Sequence, residues 1–270
     1  MELIRKASEL IPEIKRTKPV VHHITNYVTM NDCANAVLAI GGSPVMANAP
    51  EEAAEIAAMS KALVLNLGTP NRNNFQAMLL AGKSAKKTGI PVIFDPVGAG
   101  LTPFRRELCQ RLMYEIRPEV VKGNLSEIMY LAGMEVCSKG VDSAAAGCNA
   151  PEIVGRLAGK LTCIVAATGE RDIISDGDKT YLINNGHEML SKVTGTGCMT
   201  SSLIGAFCAA AEDCLTGAFG GVMTMGVAGQ HAFSGLKPGE GAGMYKVRLF
   251  DSIYCLSSDI FESEGNAYEY

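Results

Sequence analysis

The feature that most constrains this chain is a recurring alternation. Short, continuous apolar runs of β type end in Gly, Asn or Asp, and each is followed by a segment of helical character. The runs expected as strands are Val20–Ile24, Pro44–Met46, Ala62–Leu67, Pro91–Asp95, Glu119–Lys122 and Leu161–Ala166, with Lys179–Asn184 at an edge. They are continuous rather than alternating, as strands are when both faces of a parallel sheet are covered. Helices are expected over Thr29–Ile40, from Pro50 onward, and over Phe75–Thr88, Phe104–Ile116, Leu125–Leu131, Pro151–Gly159, Cys198–Ala211, Gly217–Phe233 and Gly239–Ser263. An amphipathic helix is expected at the N-terminus, MELIRKASELIPEIK. The reading is an α/β fold of one domain over residues 1–270, with a mainly parallel central sheet and helices on both faces. Gly133–Asn149, small and glycine-containing without a clear period, is expected as a mobile insertion.

Composition narrows what such a sheet can serve. The core must come from aliphatic residues and closely packed glycine, because aromatics are 6% and Trp is absent. A net charge of -4 offers no basic footprint for nucleic acid or anionic lipid. Nine cysteines, an odd number without a CxxC pair, argue against a disulfide framework or structural zinc. With no secretory signal, a cytoplasmic location is expected. The uncharged runs Cys198–Ala211 and Cys214–Gln230 are each too short to span a bilayer and are split by Glu212 and Asp213, so no membrane association is expected.

In open parallel sheets, ligands bind outside the carboxyl ends of the strands, so the residues that follow each run carry the functional reading. Thr194–Gly195–Thr196–Gly197–Cys198 is a glycine-rich turn that leads into an uncharged helix. The free N–H groups and dipole of a first turn stabilise phosphoryl oxygens, so Gly195, Thr196 and Gly197 are candidates for an anion hole suited to a transferring γ-phosphate. The alternative is a tight turn that only packs helix on sheet. It is neither a Walker A loop nor a full dinucleotide fingerprint. Cys198, where the helix begins, is expected to have its thiol pKa lowered, as a general base or positioning group for an acceptor alcohol; otherwise it is a small residue fitted to a crowded turn.

Asp95 ends a strand before a glycine-rich bend and suits Mg2+. Asn124 and Glu127, three apart at a helix start, either add a carboxylate to that ion or form part of a helix cap. Thr168 and Gly169 follow another strand and suit nucleotide phosphates, and Lys122 either adds charge there or is a solvated strand-end lysine. Asn26 and Met46 offer an amide and an adaptable apolar wall to an acceptor heterocycle. His22 and His23 lack a metal partner at standard spacing and are read as structural.

At these residues the chain resembles the hydroxyethylthiazole kinase family, within the ribokinase-like kinases. The markers are ITNYVTMNDCANAVLAIGGSPVM at 24–46, NLGT at 66–69, DPVGAG at 95–100, GNLSE at 123–127, ATGERD at 167–172 and VTGTGC at 193–198. The resemblance implies Mg-ATP-dependent phosphorylation of hydroxyethylthiazole, a thiamine-salvage step, by a homotrimer with active sites near subunit boundaries. It implies thiazole contacts from Asn26, Met46, Gly68 and Gly195, ATP contacts from Lys122 and Thr168, and Mg2+ held by Asp95 and Glu127. Cys198 takes the place where other ribokinase-like enzymes usually carry an aspartate base. Family members commonly have Arg where this chain has Lys122, and lysine cannot reproduce a bidentate phosphate contact. Rival readings are a kinase of another vitamin-precursor alcohol, such as hydroxymethylpyrimidine or pyridoxal, an ADP-linked lyase acting on hydrated nicotinamide nucleotides, and a non-catalytic nucleotide-binding protein.

Overall fold

The computed structural model describes residues 1–134 and 149–270; most of the expected insertion, residues 135–148, lies outside the described residues. A nine-stranded sheet with the order β2-β1-β3-β4-β5-β6-β7-β8-β9 organises the molecule. β1 (Val20–Ile24), β2 (Ser43–Met46), β3 (Ala62–Asn66), β4 (Val92–Asp95), β5 (Val120–Asn124) and β6 (Ile164–Thr168) are parallel. β7 (Asp172–Ser175), β8 (Thr180–Ile183) and β9 (Ala267–Glu269) extend the sheet antiparallel. The sheet is therefore mainly parallel, as expected.

Two differences from the expected strands have local causes. The run from Leu161 becomes strand only at Ile164, because α7 (Ala150–Leu161) takes Leu161 into its last turn and stops at Thr162 in the left-handed conformation, φ 54°. The run Lys179–Asn184 is not an edge, because the C-terminal tail returns as β9 beside β8. β7 and β9 are only four and three residues long. Such lengths carry too little periodicity to stand out in sequence.

Helices cover both faces. α1 (Glu2–Thr17), α2 (Met30–Ile40), α8 (Thr196–Cys208), α9 (Cys214–Ser234) and α10 (Ala242–Cys255) enclose one continuous core with Val21, Val64, Ile93 and Val120 from the strands. α3 (Pro50–Met59), α4 (Arg72–Thr88) and α5 (Pro103–Ile116) bury Leu63, Leu65 and Phe94 on the other face. α6 (Leu125–Leu131) and α7 close over Val121 and Val165. The single helix expected over Gly239–Ser263 is two. Leu256 adopts an extended conformation and Ser257 starts α11 (Ser258–Glu264), its hydroxyl accepting the N–H of Ile260 at 3.3 Å.

α8 lies directly on the sheet, in contact with β1, β3, β4 and β5. Gly205 allows that approach, since a Cβ there would stand 2.7 Å from Val64 Cγ2 and 3.0 Å from Val21 Cγ1. The first turn of α8 is thereby held over the carboxyl ends of the central strands. No helix among the described residues is long and apolar enough to cross a membrane.

Both β1 histidines are core residues, as read from sequence. His22 Nε2 bonds the Ala47 carbonyl oxygen at 2.7 Å and His23 Nδ1 the Val21 carbonyl oxygen at 3.0 Å. Burial holds His23 neutral, with its pKa pushed down to about 4. The unfolded chain therefore takes up this proton first as the pH falls, and stability is lost between about 6.5 and 4. The His23 share of that loss is expected to be about 2 kcal/mol between pH 7 and pH 5. Urea unfolding at the two pH values, compared with His23→Gln, checks it; equal losses in both proteins would contradict it.

Candidate active site

The carboxyl ends of β1, β3, β4, β5 and β6 meet the first turn of α8. Pairing sets Asn66 of β3 beside Asp95 of β4, and Asn124 of β5 beside Thr168 of β6. Asp95 is buried, 1% exposed. Its Oδ2 accepts from Asn66 Nδ2 at 2.9 Å and Ser201 Oγ at 2.7 Å, and lies 3.9 Å from Lys122 Nζ. Its Oδ1 is buried without a hydrogen-bond partner. Burial pushes the Asp95 carboxyl above the usual range, against the opposing pull of Lys122, Ser201 and Asn66.

Asn66, which the sequence reading passed over, is the hub. Its Oδ1 accepts from Asn26 Nδ2 at 2.9 Å and the Gly68 N–H at 2.8 Å, while its Nδ2 serves both Asp95 and Cys198 Sγ, the latter at 3.3 Å. Asn26 Nδ2 donates to the same sulfur at 3.3 Å. Its Oδ1 accepts the N–H of Thr29 at 3.1 Å. Two amides thus point N–H groups at Cys198, an arrangement that favours a sulfur acting as acceptor. The thiol pKa is nonetheless raised, first by burial and then by the Asp95 charge, with Thr29, Lys122 and Asn26 opposing. This corrects the expectation of a lowered value: the helix start is here enclosed beside a carboxylate.

Gly195 forms the N-cap of α8 with φ 94°, and a Cβ there would stand 2.5 Å from Thr29 Cγ2. Both the left-handed backbone and the space require glycine. No side chain caps this end, and the first helical bond is the Met199 N–H to the Gly195 carbonyl at 2.8 Å. The amides of Thr196, Gly197 and Cys198 precede that bond, as anion-binding amides at a helix start do. The Thr196 hydroxyl donates to the Leu190 carbonyl at 3.0 Å, tying the turn to the preceding segment.

Lys122 is buried, 4% exposed, and donates to the Gly197 carbonyl at 3.0 Å. A solvated strand-end lysine is thus ruled out; the ammonium is internal, between Asp95 and the glycine turn. Glu127 completes a capping box: its Oε2 accepts the Asn124 N–H at 2.8 Å while Asn124 Oδ1 accepts the Glu127 N–H at 2.9 Å. Its Oε1 accepts the N–H of Gly98 at 2.9 Å. Burial and the Asp95 charge push its carboxyl up.

A cavity of about 1040 Å³ opens beyond these groups, lined by Asn124, Thr168, Gly169, Thr196 and Gly197 and, on its far side, by Asn185, His187, Leu190, Val222 and Met225. That wall comes from residues 185–190 and α9, and nothing local in the sequence marks an apolar helix residue as cavity-facing. The N–H of Gly169 donates to Asp172 Oδ1 at 2.9 Å, and burial pushes the Asp172 carboxyl up to about 7. Thr168 Oγ1 bonds the Gly123 carbonyl at 3.3 Å. Met46 is half-buried at the end of β2, opposite His23 and one strand further out than Asn26.

Removing Asn66 would take one hydrogen bond from Asp95 Oδ2 and one from the Asn26 amide, and would leave the Gly68 N–H without its acceptor. Asn66→Ala is expected to cost about 1–3 kcal/mol of stability. Urea unfolding at neutral pH measures it, and a cost below about 0.5 kcal/mol would show that the network does not hold these groups together.

The model of the Hydroxyethylthiazole kinase family matches residues 11–259. Hydroxyethylthiazole kinase of Alkaliphilus oremlandii (strain OhILAs) is 47% identical over 270 residues, covering 100% of both chains. That of Ruminiclostridium cellulolyticum is 45% identical over 99% of each. The solved structure of hydroxyethylthiazole kinase from Pyrococcus horikoshii OT3 superposes with a TM-score of 0.87 at 35% identity, covering 100% of each chain. Pyridoxal kinase from Staphylococcus aureus in complex with pyridoxal, at TM-score 0.60 and 13% identity over 94% of this chain and 98% of its own, shares the fold alone. The architecture is that of the ribokinase-like kinases, and this chain belongs to the hydroxyethylthiazole kinase family.

Proposed function

We propose that this chain, as one ribokinase-like kinase domain over residues 1–270, transfers the γ-phosphate of ATP to the primary hydroxyl of 4-methyl-5-(2-hydroxyethyl)thiazole. The observation that carries the reading is the convergence of Asp95, Cys198 and the uncapped start of α8 at one point, beside a cavity large enough for a nucleotide. Full-length relatives named for this activity support the choice of acceptor.

The acceptor side is assigned to Asn26, Met46, Gly68 and Gly195, and the nucleotide side to Thr168, Gly169 and Lys122. The N–H groups of Gly195–Cys198 face the transferred group and offset its charge, and positioning supplies most of the rate. Cys198 Sγ, already the acceptor of two amide N–H groups, takes the hydroxyl proton. The accepting form is the Cys198 thiolate, a minor species at neutral pH because the thiol pKa is raised, and a loose transition state releases the hydroxyl proton to it late. Lys122 donates to the Gly197 carbonyl, so its positive charge stands beside the glycine turn.

Mg2+ would accompany ATP and neutralise phosphate charge. The residues fit it unequally. Asp95 Oδ1 is a buried oxygen with no partner, and the mutual charge of Asp95 and Glu127 is what a cation relieves. Both Glu127 oxygens already hold backbone N–H groups, so this carboxylate suits a hydration water of the ion better than the ion itself. A homotrimer with sites near subunit boundaries would cover Tyr27 and Val28, which stand 61% and 66% exposed next to Asn26. A cytoplasmic setting accords with the seven free cysteines of the described residues.

ADP release from Mg-ATP with hydroxyethylthiazole, hydroxymethylpyrimidine, pyridoxal or no acceptor tests the reading, with the product identified by mass. Thiazole-dependent ADP and a thiazole phosphate are expected; turnover only with another alcohol would change the acceptor, and nucleotide binding without turnover would remove the kinase reading. Asp95→Ala is expected to lower turnover at least about 10³-fold. Cys198→Ser should lower it less, roughly 10²-fold, and flatten the rise of kcat with pH. A Cys198→Ser rate equal to that of the unsubstituted enzyme at every pH would exclude Cys198 as base.

A further inference from the structure

Helices α8 and α9 are joined by residues 209–213, with a cysteine on each side of the corner. Cys208 ends α8 and Cys214 opens α9. The Cys208 thiol donates to the Cys214 carbonyl oxygen at 3.8 Å. The two helices also approach closely beside the pair. A Cβ on Gly217, three residues after Cys214 and on the same helix face, would stand 2.7 Å from Cys208 Cα and 2.6 Å from its Sγ. Helical rise sets the pair about 15 Å from Cys198 along α8, away from the transfer site.

The two sulfurs are unequal. Cys208 is buried, while Cys214 is half-buried in the first turn of a 21-residue helix, where backbone N–H groups favour a thiolate. The Cys214 side chain and burial hold Cys208 well above the ordinary thiol range. A half-buried sulfur at a helix start therefore lies across the corner from an enclosed one. A metal ion fits poorly, since no group of three or more His, Cys, Asp or Glu side chains comes together among the described residues.

We propose that Cys208 and Cys214 form a reversible dithiol–disulfide site, with Cys214 the attacking and Cys208 the resolving thiol, oxidised by low-molecular-weight disulfides. The Cys214 thiolate attacks one sulfur of such a disulfide, whose S–S bond breaks and releases one small thiol. Cys208, once its proton has left to solvent, attacks Cys214 Sγ of the mixed disulfide and expels the second small thiol. Two protein thiols are oxidised and one small disulfide is reduced to two thiols. The product closes the α8–α9 corner with a covalent tie.

The test incubates the reduced, native full-length chain with oxidised glutathione at pH 8, quenches with an alkylating agent and maps the cysteines by mass. The expected result is a 208–214 link, two hydrogens lighter than the reduced pair, formed at least about tenfold faster than any adduct at the exposed Cys255. Cys208→Ser should arrest as a glutathione adduct on Cys214, and Cys214→Ser should leave Cys208 unmodified. The wild-type map decides by itself if either variant fails to fold. Absence of the 208–214 link in the wild type, whether Cys214 stays free or its adduct goes unresolved, overturns the proposal.

Discussion

Asp95 is a carboxylate held out of water at the carboxyl end of β4, and the surrounding structure answers to that cost. An isolated buried charge is expensive, so it must be hydrogen-bonded and paired. Asn66 from β3, Ser201 from α8 and Lys122 from β5 all converge on one oxygen, Oδ2. The other oxygen has no partner. Satisfied on one side and open on the other, the group joins three strands and a helix while leaving one buried oxygen without a partner. Its position follows from strand register, since a one-residue slip would turn Asp95 to the opposite face of the sheet.

Around that carboxylate, the helix start and the two asparagines form one unit. Lys122 grips the Gly197 carbonyl, Thr29 packs on Gly195, and Asn26 and Asn66 reach Cys198. A shift of the turn would therefore disturb Lys122, Cys198 and both asparagines together. The placement of Lys122 suits its side chain. A compact ammonium fits an enclosed position with one carbonyl and one carboxylate nearby, where a planar guanidinium has five N–H groups to satisfy.

The βα alternation was legible because both-faces-buried strands read as continuous apolar runs, and their terminal Gly, Asn and Asp sit where ligands bind. Six parallel strands and most helices fell near their expected places. β7, β9 and the break at Leu256–Ser257 did not, because three- and four-residue strands and one extended residue leave little local pattern. Among site residues, Asp95, Cys198 and Gly195 stood out through type and position. Asn66 and Ser201 did not, since an Asn at a strand end and a Ser inside a helix are ordinary until pairing and packing bring them to one carboxylate.

By itself, the sequence determined the element types, the strand ends that bear functional groups, and the need for glycine where the chain turns into α8. These are local matters of periodicity, backbone freedom and residue chemistry. Tertiary structure decided which strand ends are neighbours, that Glu127 spends both oxygens on backbone N–H groups, and that Lys122 is enclosed. It also decided that the Cys198 thiol titrates above rather than below its usual range. Desolvation and charge pairing depend on residues scores of positions away, and only the packed sheet and helices bring those groups within a few ångströms.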